Sequence, residues 1–163
     1  MMNNPNTTYR FQFHKEFTFT DFEKVIPYLQ KLGVSTVYAS PIFEATPGST
    51  HGYDGVNPHR INPEIGTEDQ LREYSRLLKE NGINWLQDIV PNHMAYHPNN
   101  PWLMDVLEKG PQSVYAKFFD IAWNNQSLHG RIMVPFLGSD LEEVIKNGEL
   151  QVAYDEKQQK LVL

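Results

Sequence analysis

Two stretches, LQKLGVSTVYAS (29–40) and LKENGINWLQDI (78–89), follow one grammar: the end of an amphipathic helix, a glycine, then an apolar run of strand length. Glycine suits the left-handed position just past a helix, because it carries no Cβ to clash. A helix that hands over to a strand twice in one chain is the signature of repeated βα units. Such units favour a parallel sheet with helices packed on it, over a sandwich or a helix bundle.

The rest of the first half fits that frame. TTYRFQFH sets Tyr9, Phe11 and Phe13 against Arg10, Gln12 and His14, a period of two that predicts a strand over Tyr9–His14. A helix follows over Asp21–Leu32. Phe22, Val25, Ile26, Leu29 and Leu32 share one of its faces, Thr20 and Glu23 have capping-box spacing, and Pro27 weakens its interior. The next strand is Val34–Ser40, stopped by Pro41, and a long loop runs on to residue 67. Thr67 and Gln70 form a second capping box ahead of a helix over Glu68–Glu80, with Leu71, Tyr74, Leu77 and Leu78 on one face. The third strand is Ile83–Val90. The expected sheet holds these three strands side by side and parallel, in chain order. After His93 the texture changes to a loop, HPNNPW, then helical pieces broken by Gly110 and Pro111, then a hairpin in ELQVAYDEKQQKLVL that returns at Leu161–Leu163.

Composition narrows the function classes. The chain has 163 residues and a formal charge of −6, from 14 basic and 20 acidic residues. No basic stripe is offered to nucleic acid or to an anionic membrane. Cysteine is absent, which removes disulfides, thiolate nucleophiles and cysteine metal sites. No apolar run reaches the ~20 residues of a membrane helix, and the first residues lack the apolar core of a secretory signal. The expected location is cytoplasmic.

Parallel α/β folds collect function in the loops at the C-terminal ends of their strands. Two such places stand out. The loop PIFEATPGSTHGYDGVNPHRINPEIGT carries His51, Tyr53, Asp54, His59 and Arg60, and long ordered loops are usually functional. The end of the third strand carries Asp88, Asn92 and His93. Each residue also has a plain structural reading. Asp54 and Asn57 are good turn formers, Tyr53 suits a core, Asp88 could be a buried acid paired with an arginine, and His93 could be a hydrogen-bonded scaffold residue. His93 and His97 have the spacing of a helical metal pair, but Pro91 and Pro98 forbid that helix and no glutamate follows His93. No metal or cofactor is expected. The phosphate-binding glycine loops and the G-x-S-x-G elbow are absent.

In combination these segments are more specific. DIVPNH resembles the D-x-x-x-N-H segment of the α-amylase family of retaining glycoside hydrolases and transglycosylases, and HGYD followed by INPEIGT resembles that family's second βα loop. The resemblance implies the first part of a (β/α)8 barrel, with about three of its parallel strands. Residues 1–94 would be the first βα units of that barrel, and 95–163 the start of a domain inserted after the third strand. It also implies roles. His93 would bind the glucosyl ring at the bond-breaking position, Tyr53 would offer its ring as a platform, and Asp54 would bond sugar hydroxyls. Asn92 would fix its loop, and Asp88 would pair with an arginine on the strand bearing the nucleophile. Trp102 is a possible further stacking surface.

Runs such as PGSTHGYD and NHMAYHPNNPW are similar to the family members that turn the reducing-end α-1,4 linkage of a maltooligosaccharide into an α,α-1,1 linkage. That reaction is an isomerisation by intramolecular glucosyl transfer. Retaining chemistry needs two carboxyls about 5–5.5 Å apart, and the family's R-x-D nucleophile segment does not occur in this sequence. The chain therefore reads as an N-terminal piece with substrate-binding residues and no catalytic carboxylates. It would take a maltooligosaccharide or other α-1,4-glucan, be inactive alone, and self-associate or need the remainder of the enzyme. The alternatives are a piece of another glucan hydrolase of the family, or a non-catalytic glucan-binding module using Tyr53, Trp102 and Trp123.

Overall fold

The computed structural model describes residues 5–134 and 136–162. The chain forms two compact units, Met1–Phe118 and Phe119–Leu163. The division expected at residues 94 and 95 falls inside the first of them.

In the first unit the elements run β1 (Thr8–Phe11), α1 (Phe19–Leu32), β2 (Thr36–Ala39), β3 (Phe43–Ala45), β4 (Gly55–Ile61), α2 (Glu68–Glu80), β5 (Asn84–Gln87) and α3 (Pro101–Lys109). The sheet order is β1-β2-β5, and both pairings are parallel. This is the expected order and direction. The strands are shorter than the apolar runs that announce them. Phe13 lies beyond β1 yet is only 2% exposed, so it joins the core without joining the ladder.

Strand parity decides which side chains the helices cover. Tyr9, Val37 and Trp85 are in register, as are Phe11, Ala39 and Gln87, so these side chains share one face. Phe11 and Trp85 both pack edge-on against Phe22 of α1, so this is the face under the helices. Phe13 is surrounded by Phe19 at 5.1 Å, Phe22 at 5.6 Å and Trp85 at 6.0 Å. Each edge-on pair adds about 0.5–1.5 kcal/mol beyond its burial. Phe11, Phe13 and Val37 are thus core residues, while Ile89, past β5, is 60% exposed.

The helix ends show one correction and one agreement. α1 begins earlier than expected, because Phe19 is fully buried and its N–H donates to the Ile65 carbonyl at 2.8 Å. The cap is therefore Thr18, whose N–H and hydroxyl both donate to Asp21 at 3.1 and 2.8 Å. The anticipated pair, Thr20 and Glu23, instead bridges the helices: Gln70 donates to Thr20 and Tyr74 to Glu23. α2 has the expected bounds and its Thr67–Gln70 capping box. Pro27 sits on the exposed side of α1, where water can satisfy the carbonyl it leaves unbonded.

The loop after β2 is not structureless. β3 and β4 form an antiparallel pair with irregular register, which was read as one long connection. α3 is started by Asn100, fully buried, whose side chain accepts from Leu103 N–H at 3.1 Å. The second unit contains a helix, α4 (Leu141–Lys146), and the expected hairpin, β6 (Ala153–Asp155) and β7 (Lys160–Val162), paired antiparallel. Leu163 lies outside the described residues.

Candidate functional site

The face of the sheet turned away from the helices carries Arg10, Tyr38 and Leu86, in register across β1, β2 and β5. The Arg10 guanidinium carbon lies 5.8 Å from the centre of the Tyr38 ring. One residue past β5, the Asp88 N–H donates to the Ala39 carbonyl at 2.9 Å and extends the ladder by a rung. The half-buried Asp88 side chain therefore rises from the same face at the C-terminal ends of the strands.

Two phenols meet there. Tyr53 donates to Asp88 Oδ2 at 2.5 Å and Tyr38 donates to the same oxygen at 3.0 Å. The bond to Asp88, then desolvation and the nearby charge, hold the Tyr38 phenol above its ordinary pKa, so it stays a donor. Arg10 Nη2 donates to the Tyr53 hydroxyl at 3.4 Å. Asp88 thus has two tyrosines as direct partners in this chain.

His93 is joined to the same cluster. Its Nε2 lies 3.1 Å from the Tyr53 carbonyl, and a carbonyl only accepts, so Nε2 carries the proton. The loop after β2 and the loop after β5 therefore share one rim, with Tyr53 and His93 in contact. A further backbone bond, Ala95 N–H to the Gly55 carbonyl at 2.8 Å, fastens the same two loops.

Asp54 stands beside them in a different environment. The hydroxyls of Thr46 and Ser49 donate to its two oxygens, and His51 Nδ1 lies 3.7 Å away. Burial alone would raise its pKa; the two hydroxyls outweigh that and hold the carboxyl below its ordinary value. Asp54 is thus ionised, and its oxygens already accept bonds from the loop's own side chains. Gly52 permits the turn between His51 and Tyr53. Its φ is +76°, and a Cβ there would stand 2.5 Å from the Pro41 carbonyl oxygen.

Other anticipated residues lie apart. Asn92 is exposed and makes no side-chain hydrogen bond among the described residues. The anchoring near it comes from Asn100, which donates to the Ala95 carbonyl at 3.2 Å. Trp102 is in the first turn of α3. It stacks on Tyr115 at 5.3 Å and 9°, and touches Phe118 and His59 at 5.2 and 5.5 Å. Among the described residues no three His, Asp or Glu side chains converge as a metal site. A cavity of about 60 Å³ opens beside Pro41, Gly52, Ile89, His93 and Met94. A larger cleft, about 550 Å³, lies between β4 and the start of α2 and shares Phe43 and Pro58 with that cavity.

Sequence reading missed Arg10, Gln12, Tyr38, Thr46 and Ser49. The only signal available for Arg10 and Gln12 was their place on the polar side of an aromatic strand. Tyr38 gave none, since an aromatic in a β-branched run reads as core.

A family model described as "Alpha amylase, catalytic domain" matches residues 21–161. The chain belongs to the α-amylase family. Its parallel strands β1, β2 and β5, with α1 and α2, are a stretch of that family's (β/α)8 barrel, and the Tyr53–His93 rim lies at the strand ends where α-amylase family barrels carry their chemistry. One relative is a "putative maltooligosyl trehalose synthase" of Mycobacterium tuberculosis (strain CDC 1551 / Oshkosh), 44% identical over 141 residues, which cover 82% of this chain and 18% of the relative. A crystal structure of a maltooligosyl trehalose synthase superposes with a TM-score of 0.85 at 40% identity, over 98% of this chain and 22% of that one. A maltogenic α-amylase of Bacillus acidopullulyticus is 38% identical over 96 residues, 59% of this chain and 16% of its own length. The chain spans about a fifth of the length of these relatives.

Proposed function

We propose that this chain supplies part of the sugar-binding rim of a maltooligosyl trehalose synthase. Such an enzyme converts the reducing-end α-1,4 linkage of a maltooligosaccharide into an α,α-1,1 linkage, by glucosyl transfer within one substrate molecule. The observation that carries the reading is the joining of Tyr53, Asp88 and His93 at the C-terminal ends of adjacent parallel strands. The narrower choice within the family is supported by extent. Sequence similarity to the mycobacterial synthase runs over 82% of the chain, against 59% for the maltogenic α-amylase.

In this reading Tyr53 presents its ring to a glucosyl unit while its hydroxyl is tied to Asp88. His93 keeps Nδ1 free as an acceptor for a sugar hydroxyl, because Nε2–H is spent on the Tyr53 carbonyl. Asp54 is the ionised acceptor beside them, and Asp88 shapes the rim. Trp102 is a stacking surface away from it. The nucleophile and the acid/base are carboxyls of the remainder of the enzyme, since the family's R-x-D segment does not occur in this sequence. Water must be kept from a covalent glucosyl intermediate, or hydrolysis competes with transfer. Residues 1–94 would then belong to the barrel and 95–163 to a domain inserted after its third strand. The outer edges of β1 and β5 bear unpaired backbone groups that a second copy or a complementary chain would cover.

The test is the purified chain with maltopentaose. It binds, as read by chemical-shift changes at Tyr53 and His93, and yields no product ending in trehalose. Absence of binding overturns the rim assignment. A trehalose-ended product shows that catalytic carboxyls were overlooked.

A further inference from the structure

Arg10 lies on β1, ahead of both loops of the rim. Its guanidinium fork is the hub of the cluster. Nη2 donates to the Tyr53 hydroxyl at 3.4 Å, Nη1 donates to Gln12 Oε1 at 3.1 Å, and the fork lies 5.8 Å from the centre of the Tyr38 ring. Gln12 passes the connection on, since its Nε2 donates to the Thr50 carbonyl at 2.9 Å. Strand β1 thus grips the loop at Thr50 and at Tyr53.

Hydrogen-bond capacity explains why the grip matters. A phenol has one proton and acceptor lone pairs. Tyr53 gives its proton to Asp88, so the group on the other side of its oxygen must donate, as the Arg10 guanidinium does. The guanidinium also places a positive charge behind a phenol that faces a carboxylate, and opposite charges attract across it. Ring position and hydroxyl direction are thereby set from both sides.

We infer that Arg10 is a positioning residue: from β1 it fixes the Tyr53 ring over the rim and supplies the counter-charge to Asp88 through the two tyrosines. It touches no sugar in this arrangement and acts through Tyr53. The consequence for glucan binding rests on the function proposed above; the positioning itself does not.

The experiment uses the whole chain with 13Cζ-labelled tyrosine, comparing wild type, Arg10→Ala and Arg10→Lys, each titrated with maltopentaose. Arg10→Ala moves the Tyr53 and Tyr38 resonances and weakens maltopentaose about tenfold, the order expected for losing a charge-assisted bond. Arg10→Lys gives intermediate shifts and affinity, because an ammonium cannot hold Gln12 and Tyr53 in one planar fork. A purely structural loss would spread shifts over all tyrosines and would not be graded between the two variants. Unchanged Tyr53 and Tyr38 resonances in Arg10→Ala overturn the inference; if that variant does not fold, unchanged resonances in Arg10→Lys do so. If wild type binds no maltopentaose, the glucan reading fails, while the tyrosine shifts still decide the role of Arg10.

Discussion

Tyr53 donates its hydroxyl to Asp88 across 2.5 Å, although 35 residues separate the two in the chain. This bond ties the loop after β2 to the end of β5, so the rim is held by a side-chain link as well as by the sheet. Tyr53→Phe keeps the ring and removes the donor. The expected cost is about 1–2 kcal/mol in urea unfolding. Tyr38 donates to the same oxygen, so Tyr38→Phe combined with Tyr53→Phe should cost more than the two single changes added, because the last donor to Asp88 then goes.

The core prediction concerns Phe13. It is packed by four aromatic rings, those of Phe17, Phe19, Phe22 and Trp85, and is almost wholly buried. Phe13→Ala should cost about 3–5 kcal/mol, a large part of the ~5–15 kcal/mol that stabilises a typical domain. Circular dichroism during thermal unfolding would read this as a large fall in midpoint.

Two glycines with similar backbones should respond differently. Gly52 and Gly33 both have φ of +76°, but a Cβ at Gly52 meets the Pro41 carbonyl at 2.5 Å while Gly33 has open space. Gly33→Ala should cost about 1 kcal/mol for the left-handed backbone alone. Gly52→Ala should cost more, and should also displace the Tyr53 loop. Hydrogen exchange at residues 49–55 would show faster exchange in Gly52→Ala only.

Asp21 links stability to acid. The bonds from Lys24 and then from Thr18 lower its pKa to about 2 in the folded chain, against an ordinary 3.8. A depressed pKa means the folded state holds its proton more weakly than the unfolded state does. The contribution is therefore present in full above the unfolded value and is lost as pH falls from about 4 toward 2. Urea midpoints taken across that range should fall more steeply for wild type than for Asp21→Asn.

Much of this protein was legible in its sequence, because the signals are local. Helix periodicity, a Thr–Gln capping box and glycine at a left-handed position marked α2 to the residue, and two helix-to-strand joins implied the parallel order β1-β2-β5. Tyr53 and His93 were picked from motifs, and the fold brings them into contact. Other features needed contacts between distant segments. Spacing points to Thr20 as the cap of α1; burial of Phe19 against the loop at Ile65 moves it to Thr18. The antiparallel β3–β4 pair has too irregular a register to show as alternation. Asn100 reads as an ordinary loop amide until α3 and Ala95 close around it.

The sharpest division lies within the first strand. Its alternation determines that Tyr9 and Phe11 share one face and Arg10 the other, because successive residues of a strand point to opposite sides. It does not determine which face is covered. That was decided by α1, which lays Phe22 against Phe11 and Trp85 and leaves Arg10, Tyr38 and Asp88 together on the open side. Apolar burial chose the covered face, and the polar cluster that gathers around Tyr53 is the consequence for the other.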